Sequence, residues 1–167
     1  MIAFTFPGQG SQRHAMGAPW QEHPSWELVD EASDAVGRDL AGLLLTASDE
    51  SLRSTRNAQI ATFTLSMVVL DAIERLGVDA AVFAGHSLGE YGALVTAGVL
   101  PFGDAVEASA ARGREMTRVS LADNGWMAAV MAPLAVIEAT LATIDGYVVA
   151  CNVNSTAQCV IGGDTEA

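Results

Sequence analysis

Five residues, Gly85-His86-Ser87-Leu88-Gly89, constrain this chain more than any other segment. The run before them, Asp79 to Ala84, is short and apolar and reads as a buried strand. Glu90 to about Ala97 follows with helical spacing. A strand that turns sharply into a helix leaves no room for a Cβ on either flank of the turn, and glycine stands on both flanks. Such a turn projects the central hydroxyl and aims the free N–H groups of the following helix at the same spot. The pattern is that of a nucleophile elbow, with Ser87 as nucleophile. The Leu88 N–H, one residue on, is a natural oxyanion donor. The plain alternative is a glycine-rich turn holding an inert serine.

The rest of the first 120 residues fits an α/β layer with a buried parallel sheet. Ile2 to Phe6 reads as a buried strand, ended by the loop Pro7-Gly8-Gln9-Gly10-Ser11-Gln12. Ser25 is placed to cap a helix over Trp26 to Val36, which Gly37 stops. Leu40 to Leu45 reads as a short helix. Ala58 to Leu76 is the strongest helix, with Leu65, Val68, Val69, Ala72, Ile73 and Leu76 at helical spacing and Gly77 as stop. Phe102 to Ser120 reads as a further helix, carrying Arg112, Arg114 and Arg118.

After Asn124-Gly125 the texture changes, which divides the chain into 1–124 and 125–167. Trp126 to Met131 reads as a strand, Ala135 to Ile144 as a helix, and Tyr147 to Val153 and Gln158 to Ile161 as strands. The order β-α-β-β is the first two thirds of a ferredoxin-like module. Gly162 to Glu166 reads as a turn in which Asp164 caps a new helix. An ending there leaves a sheet face uncovered, so the expectation is an incomplete small subdomain, cut or finished by a second polypeptide.

Composition narrows the function. The 167 residues are 50% hydrophobic and 17% charged, enough apolar material for a packed core. All eight basic residues are arginine and the net charge is −12, which argues against nonspecific nucleic-acid binding and against an anionic membrane surface. Cys151 and Cys159 fit no metal spacing and make no disulfide framework. The N-terminus has no positively charged signal region, and the longest apolar stretches, such as Ser66 to Ile73, fall far short of the ~20 residues of a spanning helix. A cytoplasmic protein is expected.

Three separate segments together resemble one family. Phe6-Pro7-Gly8-Gln9-Gly10-Ser11-Gln12, then Ala84-Gly85-His86-Ser87-Leu88-Gly89-Glu90-Tyr91, then Ala111-Arg112-Gly113, are similar to the malonyl-CoA:acyl carrier protein transacylases, both free-standing and as polyketide synthase acyltransferase domains. Asn152-x-Asn154-Ser155 and Val160-Ile161-Gly162-Gly163 resemble that family's ferredoxin-like subdomain. The likeness runs from Ile2 to about Gly163. It implies an α/β-hydrolase-like core with a parallel sheet plus the ferredoxin-like piece.

The resemblance also implies roles. Ser87 would be the residue that becomes malonylated, with the Gln9 and Leu88 N–H groups forming the oxyanion hole. Arg112 would bind the free malonyl carboxylate, for which a planar, permanently charged fork is suited; without the resemblance, the favoured reading is a solvated helix residue. His86, adjacent to the nucleophile, points away from it at a sharp elbow and is expected beside the substrate rather than as the base. His14 and His23 read as surface residues, and Glu90 as a complement to the helix dipole. The family's catalytic histidine would fall beyond Ala167, and no residue here matches it. No metal or redox cofactor is implied.

The implied reaction moves malonyl from malonyl-CoA to the phosphopantetheine thiol of an acyl carrier protein by a ping-pong route. Leu88 with Arg112 resembles the malonyl-selective members. Since acyl carrier proteins are acidic and so is this chain, docking requires a local basic patch, either around Arg112, Arg114 and Arg118 or on the part of the family's fold expected beyond Ala167. Three rivals remain: the transacylase subunit of malonate decarboxylase, an α/β-hydrolase-type esterase, and a piece serving as a binding or scaffolding element. Arg112 distinguishes the second, since a hydrolase of neutral esters has no use for it.

Overall fold

The computed structural model describes residues 1–118 and 124–167. The chain divides into two compact units, Met1–Val119 and Ser120–Ala167.

In the first unit β1 (Ala3–Phe6) and β2 (Val82–Gly85) pair in parallel, in register from Ala3 opposite Val82 to Phe6 opposite Gly85. Four helices lie between them in sequence: α1 (Glu27–Val36), α2 (Leu40–Leu45), α3 (Asp49–Arg53) and α4 (Thr55–Glu74). After β2 come α5 (Gly89–Thr96) and α6 (Phe102–Arg118). The parallel pairing is the expected one, but the expected burial is not found. Of β1 only Phe6 is buried, and β2, which starts at Val82 rather than Asp79, has no buried residue. A parallel strand is buried only where a packed layer covers each face. Here α5 packs on both strands, while β1 looks across an open groove of about 450 Å³ to Leu65, Val69 and Ile73 of α4.

The core is therefore helical. Val29, Leu40, Leu44, Leu52, Ile60, Val68 and Val106 are all fully or almost fully buried. From Ala58 to Thr64 every residue of α4 is buried, because α1, α2, α3 and α6 all pack around this stretch. The apolar stripe read from α4 divides: Val68 and Ala72 enter the core, Leu65, Val69 and Ile73 line the groove, and Leu76 is exposed. The helix begins before Ala58, because the Ser54 carbonyl accepts from the N–H groups of Asn57 and Ala58.

Capping shows which local signals decided. Ser25 does not cap α1. Pro24 opens a 3-10 turn, Pro24–Trp26, and α1 starts only at Glu27. The cap of that turn is His23, whose Nδ1 accepts from the Ser25 N–H at 3.2 Å. Gly37 ends α1 in the left-handed conformation at φ 61°, as expected. The five-residue α3, too short to show periodicity, is started by the Ser48 hydroxyl, which accepts from the Ser51 N–H. Asp39 caps α2 by accepting from the Gly42 N–H at 2.7 Å. Asp39→Ala is expected to destabilise the protein by about 1 kcal/mol and to lower the midpoint of thermal unfolding by about 2–4 °C; an unchanged midpoint in calorimetry would contradict that cap.

The second unit comprises β3 (Trp126–Val130), α7 (Leu134–Leu141), β4 (Val148–Ser155) and β5 (Gln158–Gly163). Its antiparallel sheet has the order β3-β5-β4, so the helix crossover from β3 to β4 straddles β5 as in a split βαβ unit. Gly162 and Gly163 belong to β5, paired with Met127 and Trp126, and the turn starts only at Asp164. The strand runs on because the Asp164 N–H still donates to the Tyr147 carbonyl at 2.8 Å. Cys159 is buried, Cys151 is exposed, and both are free. Ser120, expected to end α6, lies outside the described residues, as does the chain from 119 to 123. Among the described residues no helix is long and apolar enough to cross a membrane.

Candidate active site

Ser87 stands at the turn between β2 and α5 with φ at 52°, in the left-handed region. For a residue other than glycine this costs on the order of 1–3 kcal/mol and persists only where the surroundings enforce it. They do so here. The His86 N–H donates to the Phe6 carbonyl at 3.1 Å, the Gly89 N–H to the His86 carbonyl at 2.9 Å, and the Glu90 N–H to the Ser87 carbonyl at 3.1 Å. The Leu88 side chain is buried in the core and anchors the turn from below. The flanking glycines are required by contact. A Cβ on Gly85 would lie 2.1 Å from the Gly89 carbonyl, and one on Gly89 would lie 2.1 Å from the Phe6 oxygen.

Because β1 and β2 are parallel and end level, the Pro7–Gln12 loop leaves beside the elbow. Gly8 allows the two to touch: a Cβ there would lie 2.8 Å from the His86 carbonyl oxygen and 2.9 Å from the His86 Nδ1. The His86 ring thus rests against the loop that carries Gln9. Among the described residues neither the Gln9 N–H nor the Leu88 N–H donates to a protein acceptor. Both donors are available to a ligand.

A chain of hydrogen bonds joins loop, helix and nucleophile. Arg112 of α6 donates through one terminal nitrogen to the Gln59 Oε1 and through the other, Nη2, to the Ser87 Oγ at 3.2 Å. Gln59 donates through Nε2 to the Gln9 Oε1 at 2.9 Å, and the Gln9 Nε2 reaches the Thr55 hydroxyl at 3.4 Å. Close approach of α6 to α4 places Arg112 there: a Cβ on Gly113 would lie 3.1 Å from the Arg56 Cα. Gln59 itself is 1% exposed.

Ser87, Arg112 and Gln9 are thus brought together, with Leu88 adjoining and His86 on the loop side. Gln59 was not singled out from the sequence, although an amide amid the apolar residues Ala58, Ile60 and Ala61 of a strong helix was the available signal. His14 and His23 hydrogen-bond elsewhere: the His14 Nδ1 lies 2.8 Å from the Ala47 carbonyl oxygen, and His23 holds Ser25. The basic patch expected along α6 is divided. Arg112 enters the site, and Arg118 pairs with Glu115 at 3.0 Å. Arg114 shares a positive field with Arg38 and Arg56; burial and then these two neighbours hold the Arg38 guanidinium below its usual pKa. Among the described residues no three His, Cys, Asp or Glu side chains gather as metal ligands would.

Comparison with known proteins gives the family and the fold. The family model described as "acyl transferase domain" matches residues 3–167. The malonyl CoA-acyl carrier protein transacylase of Escherichia coli (strain K12) is 40% identical over 174 residues, covering 99% of this chain and 56% of that protein. The solved transacylase of Coxiella burnetii superposes with a TM-score of 0.88 at 39% identity, over 98% of this chain and 54% of its own. A malonyl-transacylase solved in complex with its type II polyketide synthase acyl-carrier protein superposes with a TM-score of 0.88 at 34% identity, over 98% of this chain and 55% of its own. The chain spans about half the length of the relatives it matches.

Proposed function

The chain belongs to the acyl transferase domain family of the malonyl-CoA:acyl carrier protein transacylases, and from that premise we propose that it takes a malonyl group from malonyl-CoA onto Ser87 and passes it to the thiol of an acyl carrier protein. The observation that carries this reading is the Arg112 guanidinium, poised at 3.2 Å from the Ser87 hydroxyl. A permanently charged fork beside a nucleophile selects an acyl group that ends in a carboxylate.

In the proposed sequence the thioester carbonyl of malonyl-CoA sits over Ser87, with its far carboxylate on Arg112. The Ser87 oxygen attacks the carbonyl carbon, and the negative charge gathers on the carbonyl oxygen. The Gln9 and Leu88 N–H groups, which have no acceptor among the described residues, receive that charge, aided by the N-terminal end of α5. The C–S bond breaks and CoA leaves as the thiol. The carrier's phosphopantetheine thiol then attacks the malonyl ester, and Ser87 is released. Serine needs a base for its proton. That role is assigned to none of His14, His23 or His86: the first two are held by Ala47 and Ser25, and the third rests against Gly8.

The test is intact-mass spectrometry after incubation with malonyl-CoA. One malonyl mass per chain is expected, absent in Ser87→Ala and far slower to appear with acetyl-CoA. An adduct that survives Ser87→Ala, or equal labelling by acetyl-CoA, would count against the reading, whereas no adduct on the unaltered protein would count against this chain supplying the base for Ser87 by itself.

A further inference from the structure

We propose that Gln59 is a positioning residue that sets the selectivity of this site for carboxylate-bearing acyl groups, by fixing the plane of Arg112 and tying it to the loop of Gln9. The proposal rests on the reading of Arg112 as the carboxylate-binding residue.

The polarity of the hydrogen-bond chain follows from chemistry alone. Arginine donates and cannot accept. The oxygen of the Gln59 amide must therefore face Arg112, which turns its nitrogen toward Gln9. The Gln9 oxygen then accepts, and its own nitrogen faces the Thr55 hydroxyl. Every side-chain amide in the row has one orientation, fixed by the guanidinium at its end. Gln59 is almost fully buried, so bulk water cannot replace either partner.

This arrangement treats the two terminal nitrogens of Arg112 differently. One is held by a buried amide. The other is engaged by the exposed Ser87 hydroxyl at 3.2 Å, a longer contact to a neutral acceptor. An incoming carboxylate competes with the second and leaves the first in place. The fork thus meets the carboxylate already oriented, and less of its freedom is lost on binding. An acetyl group brings no carboxylate and gains nothing from Arg112 or its support. Gln59 should therefore act on one class of acyl donor and not on the other, which a residue that merely fills the core would not do.

The experiment measures calorimetric binding of malonyl-CoA and acetyl-CoA to the purified protein carrying Ser87→Ala, which cannot be acylated. That parent is expected to favour malonyl-CoA by at least about tenfold, as a charge-assisted contact allows. Adding Gln59→Met should reduce the preference to within about twofold while leaving acetyl-CoA affinity in place. Adding Gln59→Glu keeps an acceptor for Arg112 but sets a rival negative charge beside it, and should weaken malonyl-CoA more than acetyl-CoA. If Gln59→Met fails to fold, Gln59→Glu decides. A preference that survives both variants overturns the proposal, as does an equal loss for both ligands. A parent with no preference overturns the reading of Arg112 itself, and that result is visible before Gln59 is altered.

Discussion

Gly89→Ala is expected to lower the thermal midpoint by roughly 10 °C and to prevent labelling of Ser87. The added Cβ would sit 2.1 Å from the Phe6 oxygen, 2.6 Å from the Phe6 carbonyl carbon and 2.9 Å from the Pro7 oxygen. All three are backbone atoms at the end of β1, so no side-chain rotation relieves the clash. Relief requires α5 to withdraw from β1, and the same movement breaks the bond from the His86 N–H to the Phe6 carbonyl that holds the elbow. Overpacking a tight site costs typically 1–3 kcal/mol, and more where backbone must shift. At about 3 kcal/mol and 2–4 °C per kcal/mol for a chain of this size, the loss reaches roughly 10 °C. Calorimetry on the purified variant checks this, and a midpoint within about 2 °C of the unaltered protein would show that the elbow tolerates the methyl group.

Arg112→Ala is expected to lower the ratio of malonyl to acetyl transfer onto Ser87 by about tenfold to a hundredfold. A hydrogen bond to a charged group contributes about 1.5–3 kcal/mol, which converts to that range. The same change strips the buried Gln59 oxygen of its donor, so some stability is lost as well. Arg112→Lys should restore the charge but not the selectivity. An ammonium is a point donor, and it cannot hold Gln59 with one arm and a carboxylate with the other. Rates of labelling by the two thioesters, compared within each variant, give the ratio directly. An unchanged ratio in Arg112→Ala would remove the carboxylate role from this residue.

Much of the local architecture was legible in the sequence because its causes are local. Gly37 stops α1, α2 spans Leu40–Leu45 as read, and the elbow glycines stand where a Cβ would strike backbone. The β-α-β-β order of the second unit was likewise plain from its apolar runs. What escaped depends on partners distant in sequence. Apolar composition marks a strand but does not say what lies over it, and so β1 and β2 were expected to be buried when an open groove flanks β1. Gln59 acquires meaning only when α6 crosses α4 and brings Arg112 across a separation of 53 positions. Ser25 misled because proline at 24 inserted a 3-10 turn ahead of the helix. Serine before an apolar run is a good capping signal, but it is silent about such a detour.

The level ending of β1 and β2, at Phe6 and Gly85, has an implication for redesign. Two strands that run the same way deliver their following loops to one rim, so segments far apart in sequence share a single working surface. Beneath it, Phe6 and Leu88 reach into the helical core and hold the rim to the body of the unit. Variation confined to the rim, with Gly8, Gly85 and Gly89 retained, would alter the approach to Ser87 while Arg112 and Gln59, which come from α6 and α4, keep their places.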